Sequence, residues 1–421
     1  MLSCITSRPE SIPASASVFA ASWTPCPPMP VRRISRSMAS FAFRRARCSH
    51  DPLARARRPP YTGSSRSRAA SSLCPRAQFD AFPAVEAPLR RVRDARFATT
   101  GETGRGLPMT HDSLPTVLLP GGGGDAAIGA LRALRQAGFK GRIVSTDANP
   151  LSTGLYLADS HHVLPPIKDP SFFDRALEVI ERERIDVIFP TSGFDTLIYS
   201  QRKAELEARG VTVAMSDWPV VESCIDKWMF YQRTHERFPL PRTTLDPEAR
   251  HDFPCFVKPV RGKGARGIAL CRNEGELAAE VAKRDDLIIQ DYLPGEEYSI
   301  DCLSDLAGKP LAAVPRERIA VKEGICVKGR VVRDPEVEKT CFELAAFLGI
   351  KGPSCMQMKR DEDGRMRFVE VNPRMGGATI FASLAGVNIA WLLLELACGR
   401  EVAIEPFREI TVLRFYDEVV V

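Results

Sequence analysis

A segment near the C-terminus carries oxygen-bearing side chains on both sides of a predicted hairpin turn. The dipeptide Asp363-Gly364 is typical of a two-residue β-hairpin turn. Pairing across that turn places Gln357 opposite Glu370, with Cβ atoms about 5 Å apart, and Asn372 two residues further along the same face. One carboxylate and two amides suit a hard ion such as Mg²⁺, or Mn²⁺ in its place, with phosphate oxygens completing the shell. The alternative is a solvated sheet face that binds nothing.

A second group of residues indicates phosphate binding. Residues 262–267 read Gly-Lys-Gly-Ala-Arg-Gly, and a strand-like run containing Lys258 precedes them. Another strand is predicted to follow, whereas a dinucleotide fingerprint requires a helix there. A glycine loop between two strands can fold its amides over nucleotide phosphates, and Lys258 can place a point charge on them. We therefore predict phosphate contacts from Lys258, Gly262, Gly264 and Gly267, with an ordinary hairpin loop as the alternative.

Two parts of the chain with different sequence patterns must position these residues. From residue 113 to 220, strand-like runs alternate with amphipathic helical runs, which predicts a parallel, Rossmann-like α/β sheet. From residue 221 to 421, short strands, hairpins and single helices predict an α+β domain. The boundary between the two domains is predicted near residue 220.

The glycine run 121–124 at the first strand-to-helix turn permits a different function. With Asp147 about 26 residues further on, it is compatible with an NAD(P)-dependent oxidoreductase, in which helix amides bind pyrophosphate and the acid binds a ribose hydroxyl. However, Asp125 follows the glycines and would put a carboxylate where pyrophosphate oxygens must lie. The other interpretation is a tight turn with Asp125 as the helix cap.

The N-terminal quarter of the chain differs from the rest in charge. Residues 1–109 contain 18 Arg, no Lys and six acidic residues, a net charge of about +12, so the remainder carries about −6. A segment rich in Arg, Pro and Ser cannot bury enough apolar surface to fold, and residues 1–112 are predicted to be a disordered extension. We interpret it as an over-extended start, with translation beginning at Met109; an organelle transit peptide and a nucleic-acid-binding arm are the alternatives.

The twelve cysteines form no Cys-x-x-Cys pair, which favours reduced thiols. Arg8, Pro9 and Pro13 interrupt any apolar signal-peptide core and no stretch of about 18 apolar residues follows, so we expect a cytoplasmic protein without a membrane partner. No nucleic-acid partner is expected for the folded part.

Several motifs in one order carry a family resemblance. They are Ile225-Asp-Lys227, Phe256-Val-Lys258-Pro259 with its glycine loop, Ile288 to Tyr298, Gln357, and Glu370-Val-Asn372-Pro-Arg374-Met-Gly-Gly377. Over residues 113–421 the sequence resembles the ATP-grasp superfamily, most closely its carbamoyl-phosphate-synthase-like and amino-acid-ligase branches. The length favours a single copy over the duplicated halves of a complete carbamoyl-phosphate synthase large chain.

The resemblance implies an ATP- and Mg²⁺-dependent ligase. In such enzymes a substrate carboxylate becomes an acyl phosphate, which an amine or similar nucleophile displaces. It implies nucleotide contacts from Lys227, Lys258, Gln290, Asp291, Tyr292, Leu293 and Glu297, and metal ligation by Gln357, Glu370 and Asn372. Arg374 is expected to stabilise the transferred phosphoryl group, and Arg316 with Arg318 to clamp the substrate carboxylate.

Three expectations from the sequence remain open at this stage. A solvated strand edge is the alternative for Arg316 and Arg318. A non-catalytic nucleotide-binding module is the alternative to a ligase. The partners expected are a small carboxylic acid, a nucleophilic co-substrate and a second copy of the chain in a homodimer.

Overall fold

The computed structural model describes residues 114–262 and 267–421, and all of them lie within one compact unit of the chain. The predicted disordered extension at residues 1–112 and the predicted contact of Gly264 therefore fall outside the described residues. Among the described residues, every helix is too short or too polar to span a bilayer. The eight described cysteines are free, as the lack of paired spacing predicts.

The first part of the described chain alternates strands and helices. Its elements are β1 (Val117–Pro120), α1 (Asp125–Gln136), β2 (Ile143–Asp147), α2 (Thr153–Leu157), β3 (Ser160–Val163), α3 (Phe172–Glu183), β4 (Val187–Ile188), α4 (Gly193–Gln201), α5 (Lys203–Ala208) and β5 (Thr212–Val213). The strands pair in parallel in the order β3-β2-β1-β4-β5. All four residues of β1 are buried because it is the central strand. The prediction of a parallel sheet is confirmed.

The first helix begins differently from the prediction. Its N-cap is Gly124, which has no side chain to accept a hydrogen bond, and Asp125 is the first helical residue. The prediction that Asp125 caps the helix was therefore wrong. Its carboxylate instead forms an ion pair with Arg414 from the far end of the chain.

Two helices lead into a small antiparallel sheet. The elements are α6 (Trp218–Ile225), α7 (Lys227–Thr234), β6 (Thr243–Thr244), β7 (Cys255–Pro259), β8 (Ala269–Cys271), α8 (Glu274–Val281) and β9 (Leu287–Asp291). The four strands pair in the order β6-β9-β7-β8. Residue 220, the predicted domain boundary, lies within α6.

The remaining strands form a larger antiparallel sheet. Its elements are β10 (Glu297–Ser304), β11 (Pro310–Lys322), β12 (Ile325–Val331), α9 (Pro335–Leu348), β13 (Gly352–Arg360), β14 (Met366–Asn372), α10 (Ile380–Ala385), α11 (Ile389–Ala397) and β15 (Ile410–Leu413). In the described residues the strand order is β14-β13-β10-β11-β12-β15.

The two faces of this larger sheet differ in chemistry because side chains alternate along each strand. One face packs Ile300, Met356 and Phe368 against Leu344 of α9 in a buried apolar cluster. The opposite face carries the polar side chains that the sequence singled out. A separate apolar cluster joins α1 to α10 and α11, so the first sheet and the last helices share a core.

Candidate functional site

The hairpin formed by β13 and β14 brings the three predicted metal ligands to one face. Gln357 pairs directly with Glu370, and Cys355 pairs with Asn372 two residues further from the turn. The predicted opposition of Gln357 and Glu370 is confirmed. Residues two apart on a strand share a face, so the three oxygen-bearing side chains lie together.

The turn of that hairpin is longer than predicted. Arg360 pairs with Met366, so residues 361–365 form a five-residue connection, and the prediction of a two-residue turn was wrong. The carboxylate of Asp361 accepts hydrogen bonds from the amides of Asp363 (3.0 Å) and Arg365 (2.8 Å), which stabilises the wider loop. A β-bulge after Gln357 then shifts the register by one residue. The wider turn and the bulge shift the strand pairing by one residue in opposite directions, so Gln357 still pairs with Glu370.

Hydrogen bonds link the predicted ligands to Arg374. The amide nitrogen of Asn372 donates to Oε1 of Glu370 (2.9 Å), and Nη2 of Arg374 donates to Oδ1 of Asn372 (3.3 Å). The described residues contain no cluster of three or more His, Cys, Asp or Glu that could hold a metal. A cation here would therefore bind through one carboxylate and amide oxygens, which fits Mg²⁺ only when anionic phosphates share it.

Two lysines lie beside Glu370. Asp226 caps α7 by accepting hydrogen bonds from the amides of Trp228 (3.1 Å) and Met229 (2.9 Å), and this cap fixes Lys227 at the start of the helix. Nζ of Lys227 donates to the carbonyl of Gly262 (3.4 Å). The position of Lys227 thus follows from a capped helix that begins at the glycine loop.

The second lysine is almost completely buried. Lys258 on β7 is 3% exposed, and its Nζ donates to the carbonyl of Val369 (3.3 Å). Burial lowers the pKa of Lys258 to about 8, while the nearby Glu370 carboxylate opposes that shift. Burial also lowers the pKa of Lys227, again opposed by Glu370. The two ammonium groups and the carboxylate therefore form one electrostatic cluster.

The glycine loop connects antiparallel neighbours, as predicted. β7 pairs with β8, and Gly262 and Gly267 lie at the two described ends of the connection. Gly267 has φ +71°, a left-handed conformation that favours glycine.

The end of β9 and the two residues after it, which were predicted to contact the nucleotide, line the same cavity as this cluster. The side chain of Gln290 is buried, and its amide nitrogen donates to Oγ1 of Thr243 (2.8 Å). Glu297 follows at the start of β10 and forms an ion pair with Arg318. Arg318 also donates to the carbonyl of Gly324 (2.7 Å), so it bridges β10 to the turn after β11.

Most of these groups line a first cavity of about 390 Å³. Of the predicted site residues, it is lined by Lys227, Lys258, Gly262, Gln290, Asp291, Tyr292, Leu293, Glu297, Arg318, Gln357, Glu370, Asn372 and Arg374. Gly267 and Arg316 do not line it. The apolar walls include Phe256, Ile268 and Val369, which sequence analysis did not single out because apolar strand residues carry no sign of which cavity they face.

A second cavity, of about 340 Å³, adjoins the first. It lies between the carboxyl ends of the first sheet, represented by Gly121 and Asp147, and the polar face of the larger sheet, represented by Ser299 and Arg316. Six residues line both cavities: Arg318, Gly324, Ile325, Gln357, Asn372 and Arg374. The two cavities therefore meet at Gln357 and Asn372, two of the three predicted metal ligands. Ser299 went unnoticed in the sequence because a lone serine on a strand gives no signal.

The predicted clamp of Arg316 and Arg318 is arranged differently. Arg316 is 2% exposed on an inner strand, so its interpretation as a solvated edge residue was wrong. Its Nη2 lies 3.1 Å from Oδ2 of Asp301, whereas Arg318 is paired with Glu297. Each guanidinium thus already has its own carboxylate partner. Nη1 of Arg316 is buried and has no hydrogen-bond partner among the described residues.

The backbone amides of Gly122, Gly123 and Gly124 already donate hydrogen bonds within the protein. The amide of Gly122 donates to the carbonyl of Thr146 (2.9 Å), that of Gly123 to Oδ2 of Asp147 (2.8 Å), and that of Gly124 to the carbonyl of Gly121 (2.9 Å). These three donors are therefore not free for pyrophosphate, which argues against the dinucleotide interpretation.

Comparison with known families gives matches in both parts of the described chain. Residues 283–417 match a family model described as "ATP-grasp in the biosynthetic pathway with Ter operon", and residues 122–214 match one described as "PylC-like, N-terminal domain". The carbamoyl phosphate synthase large chain of Thermotoga petrophila is 25% identical over 303 residues, which cover 64% of this chain and 27% of the relative. The chain thus spans about a quarter of the length of that curated relative.

Solved structures share the fold. The biotin carboxylase domain dimer of the Hydrogenobacter thermophilus 2-oxoglutarate carboxylase, solved with MgADP, ADP and bicarbonate, has a TM-score of 0.58 and 21% identity, covering 71% of this chain and 73% of that one. Biotin carboxylase from Campylobacter jejuni, solved as a beta-gamma-ATP complex, has a TM-score of 0.57 and 16% identity, covering 68% of this chain and 71% of that one.

Proposed function

We propose that the chain is an ATP- and Mg²⁺-dependent ligase of the ATP-grasp type, because residues 283–417 match an ATP-grasp family model. Such a ligase converts a carboxylate into an acyl phosphate for attack by an amine or similar nucleophile. The observation that carries this proposal is the first cavity, where two lysines, the segment from Gln290 to Leu293, Glu297 and the ligand hairpin line one space. A nucleotide needs cations for its phosphates and a partly apolar wall for its base, and this cavity supplies both.

The proposed roles follow from position and charge. Lys227 and Lys258 would hold phosphate oxygens, and Glu297 would accept the ribose hydroxyls. Gln357, Glu370 and Asn372 would hold Mg²⁺, which supplies neutralisation of phosphate charge. The ammonium group of Lys258 is costly to bury alone, and an anionic triphosphate would offset that cost.

The second cavity would hold the carboxylate substrate. It opens onto the first cavity at Gln357 and Asn372, so an acid bound there would lie next to the terminal phosphate. Arg374 lines both cavities and would stabilise the phosphoryl group during transfer. We further propose that residues 113–220 form a Rossmann-like domain, that residues 221–421 form the ATP-grasp domain, and that the chain forms a homodimer.

Calorimetry of the full chain tests the nucleotide half of this proposal. ATP is titrated with and without Mg²⁺, and NADH and NADPH serve as controls for the oxidoreductase alternative. We expect saturable ATP binding that Mg²⁺ strengthens, and no binding of either nicotinamide cofactor. Failure to bind ATP would refute the proposal.

Turnover tests the catalytic half. ADP release is measured across carboxylic acids and amines. For an acid that stimulates release, added hydroxylamine should react with the acyl phosphate, displace phosphate and give the hydroxamate of that acid. ATP binding without stimulation by any acid would favour a non-catalytic module.

A further inference from the structure

The segment that follows Arg374 is held by hydrogen bonds from two consecutive amides. The amide of Met375 donates to the carbonyl of Pro190, two residues after β4 of the first sheet (3.0 Å). The amide of Gly376 donates to Oγ1 of Thr379 (2.8 Å). The backbone next to Arg374 is therefore tied to the first sheet at one residue and to the side chain of Thr379 at the next.

The hydroxyl group of Thr379 links this segment to the larger sheet. Oγ1 donates to Oδ1 of Asp301 on β10 (2.8 Å). The directions of both hydrogen bonds are fixed by chemistry, because a backbone N–H can only donate and a carboxylate can only accept. Both side chains are buried, with Thr379 8% and Asp301 1% exposed, so water competes little for either bond.

One peptide group connects these hydrogen bonds to the guanidinium of Arg374. The carbonyl of Met375 and the amide of Gly376 belong to the same planar trans peptide, in which the C=O and N–H bonds point in opposite directions. Nη1 of Arg374 donates to that carbonyl (2.7 Å), while Oγ1 of Thr379 accepts from that amide. Thr379 thus sets the orientation of the peptide plane, and the peptide oxygen in turn holds the guanidinium.

The same carboxylate also orients a second arginine. Oδ2 of Asp301 accepts from Nε (3.3 Å) and Nη2 (3.1 Å) of Arg316, whereas Oδ1 accepts from Thr379. Arg316 and Arg374 both line the second cavity. Asp301 therefore fixes one arginine of this cavity directly and the other through Thr379.

We propose that Thr379 is a positioning residue for phosphoryl transfer, which holds the guanidinium of Arg374 at the terminal phosphate by linking the Met375–Gly376 peptide to Asp301. This inference rests on the proposed function and adds a residue that acts without touching a ligand, since Thr379 is not among the described residues that line either cavity. A charged donor that is held in place beforehand needs no reorganisation in the transition state. Loss of the hydroxyl group should therefore weaken the contacts to the terminal phosphate and spare the rest of the nucleotide.

Nucleotide binding in the absence of any acid tests the inference. The affinities of the full chain for MgADP and for the magnesium complex of β,γ-imido-ATP are measured by calorimetry, and their ratio reports the contacts to the terminal phosphate. Thr379→Val replaces the hydroxyl by a methyl group, and Thr379→Ser keeps the hydroxyl. Arg374→Ala, alone and combined with Thr379→Val, completes a double-mutant cycle.

The matched control is Thr234→Val. Thr234 is also buried, and its Oγ1 donates to the carbonyl of Phe230 (2.6 Å), but it is not among the described residues that line the cavities. This control loses one buried hydroxyl group and leaves the segment after Arg374 intact. Thr379→Ala is measured as well, because it removes the same hydroxyl without placing a methyl group against Asp301 and keeps the test open if the valine variant does not fold.

We expect the ratio to fall about tenfold in Thr379→Val, the effect of misaligning one charged hydrogen bond, while the affinity for MgADP stays within about threefold of wild type. Thr379→Ser and Thr234→Val should keep the wild-type ratio. In the Arg374→Ala background, Thr379→Val should lower the ratio no further, because the residue through which it acts is already gone.

An unchanged ratio in folded Thr379→Val or Thr379→Ala would overturn the inference. A fall of the same size in the Arg374→Ala background would overturn it too, because Thr379 would then act by another route, and so would a loss in Thr379→Ser as large as in Thr379→Val. Absence of nucleotide binding by the wild type would instead refute the proposed function, on which the inference depends.

Discussion

Lys258→Met should stabilise the nucleotide-free protein and weaken nucleotide binding. Burial lowers the pKa of Lys258 from 10.5 to about 8, and one pKa unit corresponds to about 1.4 kcal/mol. Holding this ammonium group charged in the folded state therefore costs about 3 kcal/mol. Methionine fills a similar volume without the charge, so unfolding at pH 7 should require up to about 3 kcal/mol more in the variant.

The pH dependence of the wild type gives the sign of this effect. The folded-state pKa of Lys258 lies below its unfolded value, so the cost is fully present below pH 8 and is relieved as pH rises from about 8 to 10.5. Urea unfolding without nucleotide at pH 7 and pH 9.5 should thus show a gap between variant and wild type that narrows at the higher pH. ATP affinity at pH 7 should fall about tenfold to a hundredfold with the loss of one charged contact.

The control for this experiment is Lys339→Met on α9. Lys339 is 78% exposed and forms only a surface ion pair with Glu343, so its replacement should change stability by less than about 0.5 kcal/mol. If Lys258→Met is less stable than wild type at pH 7, or binds ATP as tightly, the reasoning about the buried charge is wrong.

Three further predictions concern the metal, a helix cap and the packing against the glycine run 121–124. Glu370→Gln removes the single carboxylate of the ligand set and should lower the gain in ATP affinity that Mg²⁺ provides by about tenfold to a hundredfold, as measured by calorimetry with and without Mg²⁺; an unchanged gain would contradict the assignment. Asp226→Ala removes the cap of α7 and should cost about 1–2 kcal/mol in urea unfolding and raise the KM for ATP; unchanged values would show that the cap does not position the helix. Gly154→Ala should destabilise the fold by about 1–3 kcal/mol because its Cβ would collide with the carbonyl oxygen of Gly122 in the glycine run 121–124. Gly129→Ala, inside α1 with its nearest contact at 3.6 Å, should instead stabilise the fold by about 0.5–1 kcal/mol; the same sign for both in thermal melting would refute this argument.

The pairing in the metal-ligand hairpin could be predicted from the local sequence, but the turn and the bulge that produce it could not. The pairing of Gln357 with Glu370 was predicted from an assumed two-residue turn at Asp363-Gly364. The real turn has five residues, and a bulge near Gln357 restores the register at the functional pair. Asp361 is the local signal that could have indicated the wider loop, since its carboxylate accepts amides two and four residues later. The bulge has no comparable local signal.

The ion-pair partners of Arg316 and Arg318 could not be predicted from the local sequence. The sequence places Arg316 and Arg318 on one strand face, which the structure bears out, and it predicts that they act together on a ligand. Their carboxylate partners, Asp301 and Glu297, come from the neighbouring strand β10. Which acid lies beside which guanidinium depends on strand register and sheet order.

The sequence by itself determined the alternation of strands and helices, the order of the motifs and the types of ligand atom. These follow from side-chain period, turn residues and caps, which act between residues a few positions apart. Only the tertiary structure decided that two cavities meet at the ligand hairpin and that Lys258 is buried with a lowered pKa. It also decided that Arg374 and Asp147, which form no ion pair among the described residues, line the same cavity. Burial and charge balance arise from contacts between residues far apart in the chain, and their strength depends on how completely packing excludes water.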